Sequence, residues 1–195
     1  MRFLKDNSYD IVRLYINQIG ITIFSLVLYF SITSLADNPE NGNLYLKVKL
    51  GISIFAILFF FALLYTASWD WGANDKIRVD SGKIEKHTSK GALIALIANS
   101  LNFILAGGCL ISELIVPNGN GTVCQIFRPI LLLTNAMYIG LIQAIFSSVS
   151  NVYLFESIGY FLAPFLAVLA THIGYVFGMK NIKIFPSSNK KAKRD

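Results

Sequence analysis

The sequence predicts an all-α fold, a polytopic integral membrane bundle of four to five transmembrane helices in which one apolar stretch either crosses or re-enters the bilayer. Hydrophobic residues make up 54% of the 195-residue chain and charged residues only 14%, against about 25% charged residues in soluble domains. So few charges cannot cover the surface of a soluble protein of this size. The apolar residues also come in runs long enough to cross about 30 Å of hydrocarbon at about 1.5 Å per residue.

Five apolar segments follow one another along a chain that we treat as a single transmembrane domain, 1–195. They run over about 11–36, 45–67, 91–116, 129–149 and 157–178. Two turn-rich connectors without Lys or Arg lie at 37–43 and 117–122. A longer charged connection, 68–90, separates the second and third segments, and a basic tail, 179–195, follows the last one.

The connection 68–90 is the most polar stretch between two apolar segments, and we expect it to be a cytoplasmic loop. Over 76–86, apolar and polar residues alternate around Asp80-Ser81-Gly82, a pattern that predicts a short β-hairpin. Indole rings favour the membrane interface, and basic side chains favour anionic lipid or an acidic partner. The predicted lipid or partner surface therefore comprises Trp69, Trp71, Lys76, Arg78, Lys83 and Lys86.

Basic residues, which prefer the cytoplasmic side of a membrane, discriminate between the topologies. Five full crossings divide the 17 Lys and Arg residues almost evenly, whereas four crossings with both termini inside place fourteen inside and three outside. In the second arrangement 129–149 re-enters as a helix pair on the outer side, where its backbone must be buried in protein or line a wet cavity. Five plain crossings remain the alternative, because 21 apolar residues are long enough to span. We expect a cell-membrane protein with a cytoplasmic N-terminus and, in the four-crossing arrangement, a cytoplasmic C-terminus.

Four polar side chains inside the apolar segments are candidate ligand-binding residues: Asn99, Asn102, Asn135 and His172. Asn99 and Asn102 are three residues apart and share a helix face, so they would line a polar site together or hydrogen-bond to a neighbouring helix. His172 would serve as a proton relay or be hydrogen-bonded in place.

Cys109 and Cys124 would form a disulfide in an oxidising compartment or remain two free thiols.

The sequence lacks the motifs of several enzyme classes. The chain has no HExxH, no GxSxG and no P-loop, so we expect no zinc peptidase of that kind, no hydrolase with that nucleophile motif and no P-loop protein. We predict no metal site and no cofactor. We also expect no nucleic-acid partner, because the positive residues that give the net charge of +6 flank apolar segments. One enzymatic alternative stays open, in which Asp70, Asp75 and His87 act on a phospholipid headgroup at the cytosolic interface.

These observations favour a non-enzymatic accessory or interaction subunit of a membrane complex, whose partners are membrane lipids and a membrane protein or a second copy. The alternative is a carrier or channel-like protein for a small molecule or ion, with its polar site on the third segment. The segments NQIG, WDWGANDKIR and IGYVFGMKNIKI resemble those of small multi-pass membrane proteins of low-GC Gram-positive bacteria. The resemblance implies lineage and no chemistry.

Overall fold

The structure, a computed structural model, describes residues 2–32, 42–117, 119–146 and 149–184, and these residues contain helices and no strand. The helices are α1 (Arg2–Asp6), α2 (Ser8–Ser31), α3 (Gly42–Asp80), α4 (Lys90–Ala98), α5 (Ser100–Ile115), α6 (Thr122–Thr134), α7 (Ile139–Phe146) and α8 (Val152–Met179). A 3₁₀ turn, Ala136–Tyr138, joins α6 to α7. Among these residues, α2, α3 and α8 are each long and apolar enough to cross a membrane, and the bent pairs α4–α5 and α6–α7 raise the number of candidate spans to five. The predicted helical membrane class is therefore confirmed.

Helices α3 and α8 run parallel and form the closest helix pair of the bundle. Ser68 packs on Gly174, and Gly72 packs on Gly178 one turn further along both helices. Because Glu156 lies near the start of α8 and Asp75 near the end of α3, we name the two ends of the bundle the Glu156 end and the Asp75 end. A continuous buried core connects them.

The prediction of a β-hairpin over 76–86 is wrong, because α3 continues through 68–80 and ends at Asp80. Gly82, with φ of +70°, donates its N–H to the carbonyl of Val79, and Lys83 donates to the carbonyl of Arg78. This pair of bonds is the Schellman arrangement that ends helices at a left-handed glycine. The glycine thus ends a helix where the alternating pattern predicted the turn of a hairpin, and only 81–89 of the expected loop is non-helical.

Two helix breaks interrupt the apolar segments that contain Asn99 and Asn135. Helices α4 and α5 meet at Asn99 with a bend of 59°, and α6 meets the following helical segment at Asn135 with a bend of 85°. The fourth apolar segment, predicted from residue 129, is helical from Thr122 onward.

Both helices of the pair α6–α7 contact the first turns of α8, at the Glu156 end of the bundle. Arg128 of α6 forms an ion pair with Glu156, and the ring of Phe146, at the end of α7, lies 5.7 Å from that of Phe155. The bend between the two helices is buried, since Asn135, Ala136 and Tyr138 are each at most 2% exposed.

Candidate functional site

Asn99 ends α4 by bonding to the helix that it interrupts. Its backbone N–H and its side-chain amide both donate to the carbonyl of Ala95, each at 3.0 Å. The carbonyl of Ala95 thus accepts two donors, one on each lone pair, and the buried side-chain amide of Asn99 has a partner where water cannot reach.

Asn135 performs the same task at the end of α6. Its backbone N–H and its Nδ2 both donate to the carbonyl of Leu131, at 3.0 and 3.2 Å. Thr22 of α2 donates to the carbonyl of Thr134 at 2.9 Å. Each break therefore has a local asparagine cap, and the second is also held by a neighbouring helix.

The two breaks meet through Asn102. Its Nδ2 donates to Asn99 Oδ1 at 3.4 Å, and its Oδ1 accepts from Asn135 Nδ2 at 3.3 Å. The exposed fractions of Asn99, Asn102 and Asn135 are 5%, 3% and 0%. We call these three residues the asparagine centre. It lies about midway along the bundle, because the ring of the adjacent Phe103 packs 4.7 Å from that of Phe165 in the middle of α8.

The centre combines satisfied and unsatisfied amide atoms. Within the described residues, Asn135 Oδ1 is buried and has no hydrogen-bond partner. A buried amide acceptor without a partner costs about 1–3 kcal/mol, so Asn135 Oδ1 is the unsatisfied atom of the asparagine centre.

Replacement of Asn135 by alanine should destabilise the fold by about 1 kcal/mol. The substitution leaves the buried Oδ1 of Asn102 without its donor, and this loss outweighs the removal of the unpartnered Oδ1 of Asn135. The measurement is thermal unfolding of the purified protein in mild detergent. Asn120→Ala, an exposed asparagine, is the matched control and should leave the unfolding temperature unchanged. Equal unfolding temperatures for both variants would contradict a capping role for Asn135.

His172 lies apart from the asparagine centre. It is one turn before Tyr175 on α8, near the Asp75 end, and within the described hydrogen bonds its buried Nδ1 has no partner. Three of the four predicted ligand-binding residues therefore converge, and the fourth does not.

At the Asp75 end, the carboxylate of Asp75 is buried, with 4% of the residue exposed. Its Oδ2 accepts from Lys90 Nζ at 2.7 Å and from the Tyr175 hydroxyl at 3.0 Å. His87 lines a cavity with Asp75, whereas Asp70 is exposed one turn and a half back along α3. The proposed catalytic group of Asp70, Asp75 and His87 is thus only partly assembled, and its buried acid is already neutralised by Lys90.

The two tryptophans of the predicted interface have different positions. Trp69 is partly exposed, donates its Nε1–H to the carbonyl of Ile182 at 2.7 Å, and carries Lys183 over its ring at 4.8 Å. Trp71 is 7% exposed and belongs to the core. The continuing helix explains the difference, since Trp71 shares a buried face with Ser68, Gly72 and Asp75 at helical spacing. Of the predicted basic residues, Arg78, Lys83 and Lys86 are exposed and Lys76 is half-buried.

At the Glu156 end, the guanidinium of Arg128 stacks 4.4 Å from the ring of Tyr153 while it pairs with Glu156. Cys109 and Cys124 are buried nearby as free thiols, with Cys109 Sγ 3.9 Å from the carbonyl oxygen of Cys124. These contacts attach α6 to both α5 and α8.

The sequence contains a packing signal that the reasoning from hydropathy missed, the G-x-x-x-G pattern at Gly174 and Gly178. Small residues at this spacing let membrane helices approach closely. A Cβ at Gly174 would lie 2.8 Å from the carbonyl oxygen of Tyr65, and one at Gly178 would lie 2.9 Å from the backbone nitrogen of Ala73. The pattern marks the α3–α8 contact.

Comparison of the chain with models of protein families, with curated proteins and with solved structures finds no match.

Proposed function

We propose that this chain crosses the bilayer four times, through α2, α3, α4–α5 and α8, and that α6–α7 re-enters from the Glu156 end. The contacts of Arg128 with Glu156 and of Phe146 with Phe155 support this arrangement, because they hold both ends of α6–α7 at one end of α8. Both termini then lie on the cytoplasmic side, together with fourteen of the 17 Lys and Arg residues.

Cysteine labelling in intact cells tests the re-entrant pair. Asn120 and Asn151 are exposed residues on the two sides of α6–α7. In a background with Cys109 and Cys124 replaced by alanine, Asn120→Cys and Asn151→Cys should both react with a membrane-impermeant maleimide, and Lys86→Cys should react only after permeabilisation. A labelled Asn120→Cys with a protected Asn151→Cys would mean that α6–α7 crosses the bilayer.

For function, we propose a non-enzymatic subunit that binds an acidic membrane-protein partner, or an acidic region of a second copy, through the Asp75 end. The observation that carries this proposal is a group of exposed lysines that follow the ends of α3 and α8, namely Lys83, Lys86, Lys180 and Lys183. Within the described residues, none of the four forms an ion pair. Exposed bases without an ion-pair partner favour a partner of opposite charge.

Quantitative co-purification tests this proposal. The variant carrying Lys83→Gln, Lys86→Gln and Lys180→Gln should lose most of the partner that the unmodified chain retains in mild detergent, and rising salt should release that partner. Lys47→Gln, which removes an exposed lysine at the Glu156 end, is the control for loss of a surface charge elsewhere and should retain the partner. Recovery that is independent of the three lysines, or a strictly monomeric chain without a partner, would rule the proposal out.

A second candidate function is passage of a small uncharged polar solute, and the asparagine centre favours it. Transporters place broken helices at the bilayer midplane, where the interrupted backbone lines the substrate site. Here two breaks meet at mid-depth, with an unpartnered Asn135 Oδ1 between them. Proteoliposomes should then swell faster in glycerol or urea than protein-free liposomes, and equal swelling rates would eliminate this function.

A further inference from the structure

A cavity of about 620 Å³ opens at the Asp75 end, between α1, the end of α3, the connection 81–89 and the start of α4. Its apolar wall is formed by Phe3, Val79, Ile84 and Leu93. Its polar wall includes the bases Arg78 and Lys90, the acids Asp75 and Glu85, and His87. Asp75 and Lys90 form an ion pair, and Glu85 is exposed toward solvent. The cavity is amphipathic and lies where the chain changes from apolar helix to polar connection.

The charged side chains of the polar wall differ in how closely they are paired. Asp75 accepts close bonds from Lys90 and Tyr175, so this acid and this base compensate each other. Arg78 approaches Asp75 only to 3.8 Å, and 57% of its side chain is exposed. A guanidinium has five N–H donors in a planar fork, and most of those of Arg78 remain free to bind a ligand in the cavity.

We propose that this cavity binds the phosphate group of an amphiphilic phosphate ester, with Arg78 as its main ligand and His87 beside it. Arg pairs with phosphate through two parallel hydrogen bonds, a stronger and more specific contact than a lone ammonium makes. Phe3, Ile84 and Leu93 receive the first carbons attached to the phosphate. The ligand is a phospholipid headgroup or a soluble phosphate ester, and the site binds it without chemistry, because Lys90 already neutralises Asp75.

Native mass spectrometry of the full chain in detergent tests the proposal, with a short-chain phosphatidylglycerol as the probe. Arg78→Gln should weaken its binding about tenfold or more, as expected for lost hydrogen bonds to a charged group. Lys76→Gln removes the same charge two residues away, outside the cavity wall, and should change binding less than about twofold. Arg78→Lys should give an intermediate affinity, since it keeps the charge and loses the fork.

Two further probes identify the phosphate and its source. A diacylglycerol of the same chain length should bind at least about tenfold more weakly than the phosphatidylglycerol, since it lacks the charged group that Arg78 binds. If glycerol phosphate competes at concentrations similar to those of the lipid, the site takes soluble esters. If it competes only at far higher concentrations, and Ile84→Ser weakens lipid binding, the site takes the headgroup with its lipid. Equal loss in Arg78→Gln and Lys76→Gln, or equal binding of diacylglycerol, would overturn the proposal.

Discussion

Replacement of Gly178 by leucine should separate α3 from α8 and destabilise the fold by about 3 kcal/mol or more. A Cβ at this position would overlap the carbonyl oxygen of Trp69 and would lie 3.0 Å from Gly72 Cα. These are backbone atoms of a neighbouring helix, so no rotamer change relieves the clash, and overpacking of this kind is at the upper end of its usual cost. The measurement is unfolding of the purified protein in mixed micelles as the fraction of denaturing detergent rises.

The matched control for this variant lies on α3 itself. Gly51 is exposed, and a Cβ added there would meet nothing within 4 Å. Gly51→Leu should therefore unfold at the same detergent fraction as the unmodified chain. Equal stability of Gly178→Leu and Gly51→Leu would show that the close α3–α8 contact does not stabilise the protein.

Loss of Arg128 should destabilise the fold by about 3–5 kcal/mol, because Arg128→Met leaves Glu156 buried and unpaired. The side chain of Glu156 is 8% exposed and that of Arg128 is 25% exposed. Removal of both charges avoids the unpaired acid, and the double variant Arg128→Met with Glu156→Met should unfold within about 1 kcal/mol of the unmodified chain. The same detergent titration measures the unmodified chain, Arg128→Met, Glu156→Met and the double variant.

A surface lysine provides the control for the ion pair. Lys47→Met removes an exposed base at the same end of the bundle and should leave the stability unchanged, as expected for a solvated charge. If the effects of Arg128→Met and Glu156→Met simply add in the double variant, the two residues are not coupled, and α6 is not held against α8 by this contact.

Hydropathy located the main helices because burial in lipid is a property of each segment alone. The apolar segments 45–67 and 157–178 lie inside α3 and α8. Hydropathy does not predict where a helix ends once the residues become polar. It predicted a loop at residue 68, whereas α3 continues to Asp80 because Ser68, Trp71, Gly72 and Asp75 pack at helical spacing against the bundle.

The sequence predicted which residues belong to the candidate site, but not that three of them lie together. Asn99, Asn102 and Asn135 are visible as rare polar side chains in apolar runs. Their convergence depends on the bend between α6 and α7, where the carbonyl of Thr134 accepts from Thr22 and the amide of Asn135 donates to Asn102. Asn102 and Asn135 are separated by 33 positions along the chain, so no local pattern specifies that contact.

By itself, the sequence determined that this protein is helical, that its apolar segments are long enough to cross a bilayer, and that its bases concentrate in three polar stretches. These properties follow from the transfer free energies of side chains, which are local. Only the tertiary structure decided that α3 extends past Trp71, that Gly174 and Gly178 bring α8 against it, and that two asparagine-capped breaks meet. Those features depend on contacts between distant segments, where shape and hydrogen-bond partners outweigh hydropathy.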